Sequence, residues 1–365
     1  MQLTSLAAPA LLAQNAAAQF NMLRFACSQL VVDRIDPLVN PGMQYTPHLH
    51  QFAGGNSLNL TMDPATHDLA ASSCTSCSFK EDKSNYWTAV MFYKSTNGTY
   101  KRVPQVGNGG PQGQLINNGG LDVYYIPSGT VTAFKKVIKH LEEHLGALFD
   151  LMQGFRMLAG SATQTDPNKV TKTNICHRCW TSTSEDNFIG GAPCTDSDTV
   201  DIPTDKTCKM IRQTIIFPTC WDGTNLDSPD HQSHVAYSAG SGANGGGACP
   251  STHPVKLPQI MYELMWNVTE FTNDATFPTD GSNPYVYSMN MGGSAAHGDY
   301  LFGWGGDTLQ KAMDNSCNLN TDCAAAGIHA QAPAEYNACT IEQQAPEDVD
   351  GWLAALPMGE MAIKA

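Results

Sequence analysis

Twelve cysteines restrict the fold of this chain more than any other feature. An even set of thiols has two economical uses: disulfides in an oxidising compartment, or thiolate sites for a metal. Both are open here. Cys74-x-x-Cys77 and Cys176-x-x-Cys179 are CxxC pairs, and four thiolates close a tetrahedral zinc site. The pairs lie about 100 residues apart, far beyond ribbon spacing. The start of the chain favours the other use. Met1 to Ala18 has a short apolar middle, Leu6 to Ala13, then small residues at Ala16, Ala17 and Ala18. That is the pattern of a secretory signal, although no Lys or Arg precedes Arg24. Sequons at Asn59, Asn97 and Asn267 permit the same route. Six disulfides are therefore expected, with connectivity open beyond guesses such as Cys317 with Cys323.

Charge and apolar content exclude several classes. The formal net charge is −14 with no basic block, which is unsuited to nucleic acid. An apolar content of 42% is ample for a core. No apolar run after the N-terminus is long enough to span a membrane. The expected location is secreted or extracellular, with cell-wall association as one form of it.

Strand-like runs dominate: Tyr86 to Tyr93, Leu121 to Ile126, Thr214 to Phe217 and Ile260 to Val268. They are rich in β-branched and aromatic residues and bounded by Gly, Pro and Asn. Gly-rich stretches at Gly107 to Gly120 and Gly240 to Gly247 read as exposed loops. The expected fold is mainly β: a disulfide-rich single β-sandwich, jelly-roll-like, with long Gly-rich loops and one or two peripheral helices. Thr132 to Met152 breaks the pattern, with Val137, Leu141, Leu145, Leu148 and Met152 at helical spacing. A second helix is expected near Leu309 to Asp314. The division is a signal at 1–18, a β-rich domain at 19–316 with a helical insertion at 135–153, and a Cys-containing tail at 317–365.

Chemistry points to the histidines. His48-Leu49-His50 follows a Pro, and in an extended strand the two rings share a face. Two imidazoles on one face bind a metal or divide acid–base roles. Asp230-His231-Gln232-Ser233-His234 is a second cluster, with Asp222 and Asp227 close by, His253 a third, and His297-Gly298-Asp299 a fourth. Trp87, Trp221 and Trp304 adjoin polar clusters and are candidates for sugar stacking, with buried core as the default. There is no G-x-S-x-G, H-E-x-x-H or phosphate loop, and an even cysteine count leaves no obvious free thiol.

Long blocks carry a resemblance. Among them are RFACSQLVVDRIDPLVNPG from Arg24, PHLHQFAGGN from Pro47, CTSCSFKEDKSNYWTAVMFY from Cys74, FPTCWDGTNLDSPDHQSHVAY from Phe217 and HGDYLFGWGGDTLQKAMDNSC from His297. Together they resemble the fungal secreted family named domain of unknown function nineteen-ninety-six. The resemblance implies an extracellular, cell-wall or polysaccharide setting, because members often accompany WSC or other carbohydrate-binding modules. It supplies no reaction. The family pattern passes quickly from Thr132–Phe134 to Gly154–Gly160, whereas this chain places about 19 residues between them.

Three functions follow as expectations. The first is a polysaccharide-cleaving enzyme, hydrolase or lyase, with catalytic candidates His50, Asp222, Asp230, His234, His297 and Asp299. His48, Trp87, Trp221, His253 and Trp304 would bind substrate. Hydrolysis needs two carboxylates about 5–10 Å apart; elimination needs a His or Tyr base. The second is a copper or zinc site built from His48, His50, His234 and His297, oxidative if it also acts on glycans. The third is a non-catalytic cell-wall, adhesion or stress protein.

Overall fold

The computed structural model describes residues 22–106, 119–127, 154–182, 192–240, 246–273, 275–315, 317 and 323–357. The expected signal at 1–18 and the insertion at 135–153 lie outside these residues.

The chain is mainly β, and its sheets are antiparallel. A six-stranded sheet runs Leu23–Ser28, Gly120–Ile126, Gln259–Asn267, Met210–Ile216, Ile175–Trp180, with Gln105–Val106 also paired to Gln259–Asn267. A five-stranded sheet runs Val31–Asp33, His50–Gly54, Asn85–Ala89, His297–Leu301, Arg156–Gly160. Two smaller sheets lie beside them. Each strand-like run of the sequence falls in a strand; Tyr86 to Tyr93 is divided at Val90 into Asn85–Ala89 and Met91–Lys94. The helix expected near Leu309 spans Thr308–Asp314, and a second α-helix among the described residues is Pro333–Ala338.

The two large sheets face each other across the main core. Phe25, Val123, Tyr125, Ile215, Tyr262 and Trp266 of one meet Ala53, Tyr86, Met157 and Tyr300 of the other. Tyr86 packs edge-on against Tyr262 at 5.7 Å, and the Tyr125 and Tyr300 hydroxyls bond at 3.1 Å. Edge-to-face rings add to the area they bury, and the paired hydroxyls satisfy each other in the interior.

The five-stranded sheet is buried on both faces. Its outer face carries Phe52, Trp87 and Leu301, covered by Leu30, Ile35, Leu38, Leu58, Met62, Leu69, Cys339 and Ala345. Two-sided burial explains why its strands do not alternate apolar with polar. Asp33, fully buried, accepts the amides of Gln344 and Ala345, which fixes the C-terminal segment on this face.

All twelve cysteines are paired: Cys27–Cys77, Cys74–Cys339, Cys176–Cys194, Cys179–Cys208, Cys220–Cys249 and Cys317–Cys323. Each CxxC motif feeds two different disulfides, so neither is a thiolate zinc site. Cys74–Cys339 spans 265 residues and ties the C-terminal segment to the sheet.

Candidate functional site

The outer face of the five-stranded sheet holds three imidazoles. His50 begins one strand and His297 another, with Asn85–Ala89 between them. His50 lies directly opposite Ala89. Gly298 lies opposite Thr88 on the other side, so the next step places His297 beside Ala89 as well. Opposed residues in an antiparallel pair point to the same face. Ala89 is the small residue at this level of the strand between them. Gly160, opposite His297, has φ +84°, and a Cβ there would fall 2.4 Å from the Ala296 carbonyl oxygen. Only glycine allows this approach at the base of the His297 strand.

His50 and His297 are buried, and their Nε2 atoms stand 3.1 Å apart. His50 Nδ1 donates to the Ile35 carbonyl at 2.9 Å, and His297 Nδ1 to the Ala295 carbonyl at 2.9 Å. A carbonyl only accepts, so each Nδ1 carries the proton of a neutral ring and each Nε2 presents a lone pair. Two inward lone pairs at this distance repel unless a proton or a cation lies between them. Burial, and then the neighbouring His297, pull His50 down to about 3. Burial also lowers His297. Protonation is therefore a poor answer near neutrality.

His48 completes the group from the solvent side. It is half-buried, with its ring 5.4 Å from His297 and 5.7 Å from His50. One nitrogen from each of the three rings lies within 4.8 Å of the others. Burial, His297 and His50 together lower His48 to about 2. The loop is held by Thr46, whose amide donates to the Arg34 carbonyl and whose hydroxyl donates to the His48 carbonyl.

Two carboxyl groups accompany the rings. Asp299 follows His297 by two residues, on the same face, and is fully buried with no hydrogen-bond partner on either side-chain oxygen among the described residues. Burial, and then Asp36, push it well above the usual carboxylate range. Asp36 is also buried; its Oδ1 accepts the Leu38 and Val39 amides, and burial raises it. The three facing imidazoles form a box that could hold a positive ion, with the unpartnered Asp299 carboxyl on the same face. Nδ1–H bonds to backbone carbonyls are the usual outer support of metal-binding imidazoles.

The other expected residues do not join this box. His234 is buried, with Nδ1 on the Ser228 hydroxyl at 2.8 Å and Nε2 donating to the Arg156 carbonyl at 2.7 Å. Both nitrogens are used, which removes it from the expected metal set. His253 bonds the Thr252 hydroxyl and the Ser233 carbonyl. Asp222 accepts the Thr224 and Asn225 amides; burial opposes ionisation, but the Asn225 and Thr224 bonds outweigh it and hold the carboxyl low. Asp230 accepts the Ser233 and Gln232 amides and the Ser228 and Ser233 hydroxyls, which hold it far below the ordinary range. Both carboxylates act as turn-forming acceptors, and a group so firmly ionised is a poor proton donor. The expected sugar platforms also need correction. Trp87, Trp221 and Trp304 are each 1% exposed, enclosed in the cores because a large ring gains more from burial than from facing water.

Sequence reasoning missed Ala89, Asp36 and the two carbonyls that set the ring tautomers. Nothing in a one-dimensional string marks an alanine as a spacer between histidines over 200 residues apart.

The family described as Domain of unknown function (DUF1996) matches residues 36–304, well over half the chain. The chain belongs to that family. The match includes all three imidazoles, Asp36 and Asp299. No curated protein and no solved structure matches the chain.

Proposed function

We propose that this DUF1996 chain is an extracellular metal-binding protein that acts on polysaccharide, with a copper or zinc ion held by His48, His50 and His297. The observation that carries the reading is the 3.1 Å approach of two Nε2 lone pairs whose Nδ1 protons are committed to carbonyls. Two nitrogens bound tetrahedrally to one ion at 2.0–2.1 Å lie about 3.3 Å apart, close to the spacing found. Imidazole suits copper and zinc. Three imidazoles with an open fourth position are the ligand count of a catalytic site, and half-buried His48 gives the side from which that position is reached. Such an ion, when bound, supplies Lewis acidity to a water or sugar oxygen. Six disulfides support the compartment. The family resemblance, through its carbohydrate-binding neighbours, supports the substrate class.

The test has two stages. Purified protein is loaded with Cu(II) or Zn(II), washed and analysed for metal; one equivalent is expected in the wild type and under about 0.1 in His50→Ala and His297→Ala. Loaded and stripped protein is then incubated with glucans, chitin and uronans, and products are read by mass spectrometry. Absence of stoichiometric metal sinks the reading. Product formation that ignores the metal sinks its catalytic part.

A further inference from the structure

A second imidazole system borders the box. The Arg156–Gly160 strand is the edge neighbour of the His297 strand, with Leu158 opposite Asp299 and Gly160 opposite His297. Residues 231 and 232 run along its outer side. The Leu158 amide donates to the His231 carbonyl at 3.0 Å, and Gln232 Nε2 donates to the Gly160 carbonyl at 2.8 Å. The His231 backbone is thereby fixed level with Asp299 and His297, one strand outward from them, and a charge on either ring favours ionisation of the buried Asp36 carboxyl.

His231 is built unlike a surface histidine. Its φ is +55°, a left-handed conformation that residues with a Cβ rarely adopt. Its Nδ1 donates to Asp227 Oδ1 at 2.7 Å. Asp227 is itself held, accepting the Ser228 amide at 2.8 Å and lying 3.7 Å from Arg156 Nε. An acceptor on Nδ1 fixes the tautomer and leaves Nε2 to take or give a proton. The side chain is 19% exposed, so it is neither sealed in the core nor free in solvent. A left-handed non-glycine residue that carries a carboxylate-oriented imidazole, at the edge of the sheet that bears the ligand cluster, is the pattern of a working group.

We infer that His231, oriented by Asp227, is the proton-transfer group of the His48–His50–His297 site. The inference rests on the metal reading above. It gives the site two walls: an ion on the sheet face, and a base at the sheet edge for a hydroxyl or water bound between them.

Zinc-loaded wild type, His231→Gln and Asp227→Asn are compared in hydrolysis of para-nitrophenyl acetate, a probe of metal-activated water. The expected result is zinc-dependent turnover in the wild type. His231→Gln should lower kcat by about 10- to 100-fold, with KM little changed and zinc still at one equivalent; Asp227→Asn should be intermediate. Full turnover in zinc-replete His231→Gln overturns the inference. A second measurement stands apart from turnover: Cu(II) loading of carbon-labelled histidine protein should broaden the His231 ring signals and spare exposed His329. Sharp His231 signals in copper-loaded protein overturn the inference alone. Failure of the wild type to hold any metal overturns the parent reading with it.

Discussion

Ala89 lies directly opposite His50 in the sheet, on the strand that separates the His50 and His297 strands. A larger side chain there would crowd the strand that sets the spacing of the two histidine strands. Ala89→Leu is expected to abolish metal retention, read by elemental analysis, and to lower stability by about 1–3 kcal/mol through overpacking. Retention of a full equivalent would mean that the ion binds elsewhere.

Metal binding should resist acid. Burial depresses His48 to about 2 and His50 to about 3 and lowers His297, so the rings stay neutral well below the ordinary imidazole value of about 6.5. His48 and His50 therefore do not take up protons as pH falls from 7 to 5, and the lowered His297 resists protonation in the same direction. In Asp299→Asn, where no raised carboxyl titrates beside the ion, the apparent Kd for Zn(II), measured by competition with a chelator of known pH behaviour, should be flat within about threefold between pH 7 and 5. A site of ordinary, exposed imidazoles would weaken by roughly a decade per pH unit for each ligand titrating.

Among the described residues Asp299 lacks a partner for either side-chain oxygen, and an ion would supply the compensation. Asp299→Asn keeps the shape and removes the ionisable group. It should leave the melting temperature of metal-free protein unchanged or raise it by a few degrees, and weaken Zn(II) binding by about tenfold or more. Calorimetry and metal titration on the same sample check both. Unaltered affinity would separate Asp299 from the site.

Trp87 shows how far burial overrides sequence context. Its indole packs tilted against Phe52, ring centroids 5.4 Å apart, under the covering loops. Trp87→Ala should cost about 3–5 kcal/mol, measured by denaturant unfolding, and any loss of glycan binding should track the unfolded fraction. Full stability with selective loss of glycan binding would restore the platform reading.

Much of the fold was legible because its signals are local. Tyr86 to Tyr93 and Ile260 to Val268 announce strands through β-branched and aromatic content, and an even cysteine count announced pairing. The approach of His48 to His50 was also expected, although His48 sits on the bend before the strand and not in it, so period two is not its cause. Convergence was not legible. His297 joins them only because the Asn85–Ala89 strand inserts between the His50 and His297 strands, a matter of strand order. His234 and Asp230 looked equally chemical, yet their atoms are consumed by Ser228, Ser233, Gln232 and Arg156 in a turn. Hydrogen-bond accounting of that kind needs coordinates.

Cys74–Cys339 joins a residue inside the family match to one 35 positions past its end. Deleting that bond should cost about 2–5 kcal/mol, read as a drop in unfolding midpoint for a Cys74→Ser, Cys339→Ser chain. The segment it holds roofs the face that carries the imidazoles. The boundary drawn by kinship and the boundary needed for folding therefore differ: a recombinant protein cut at residue 304 would open that face to water, and what it then failed to bind would say nothing about the intact molecule.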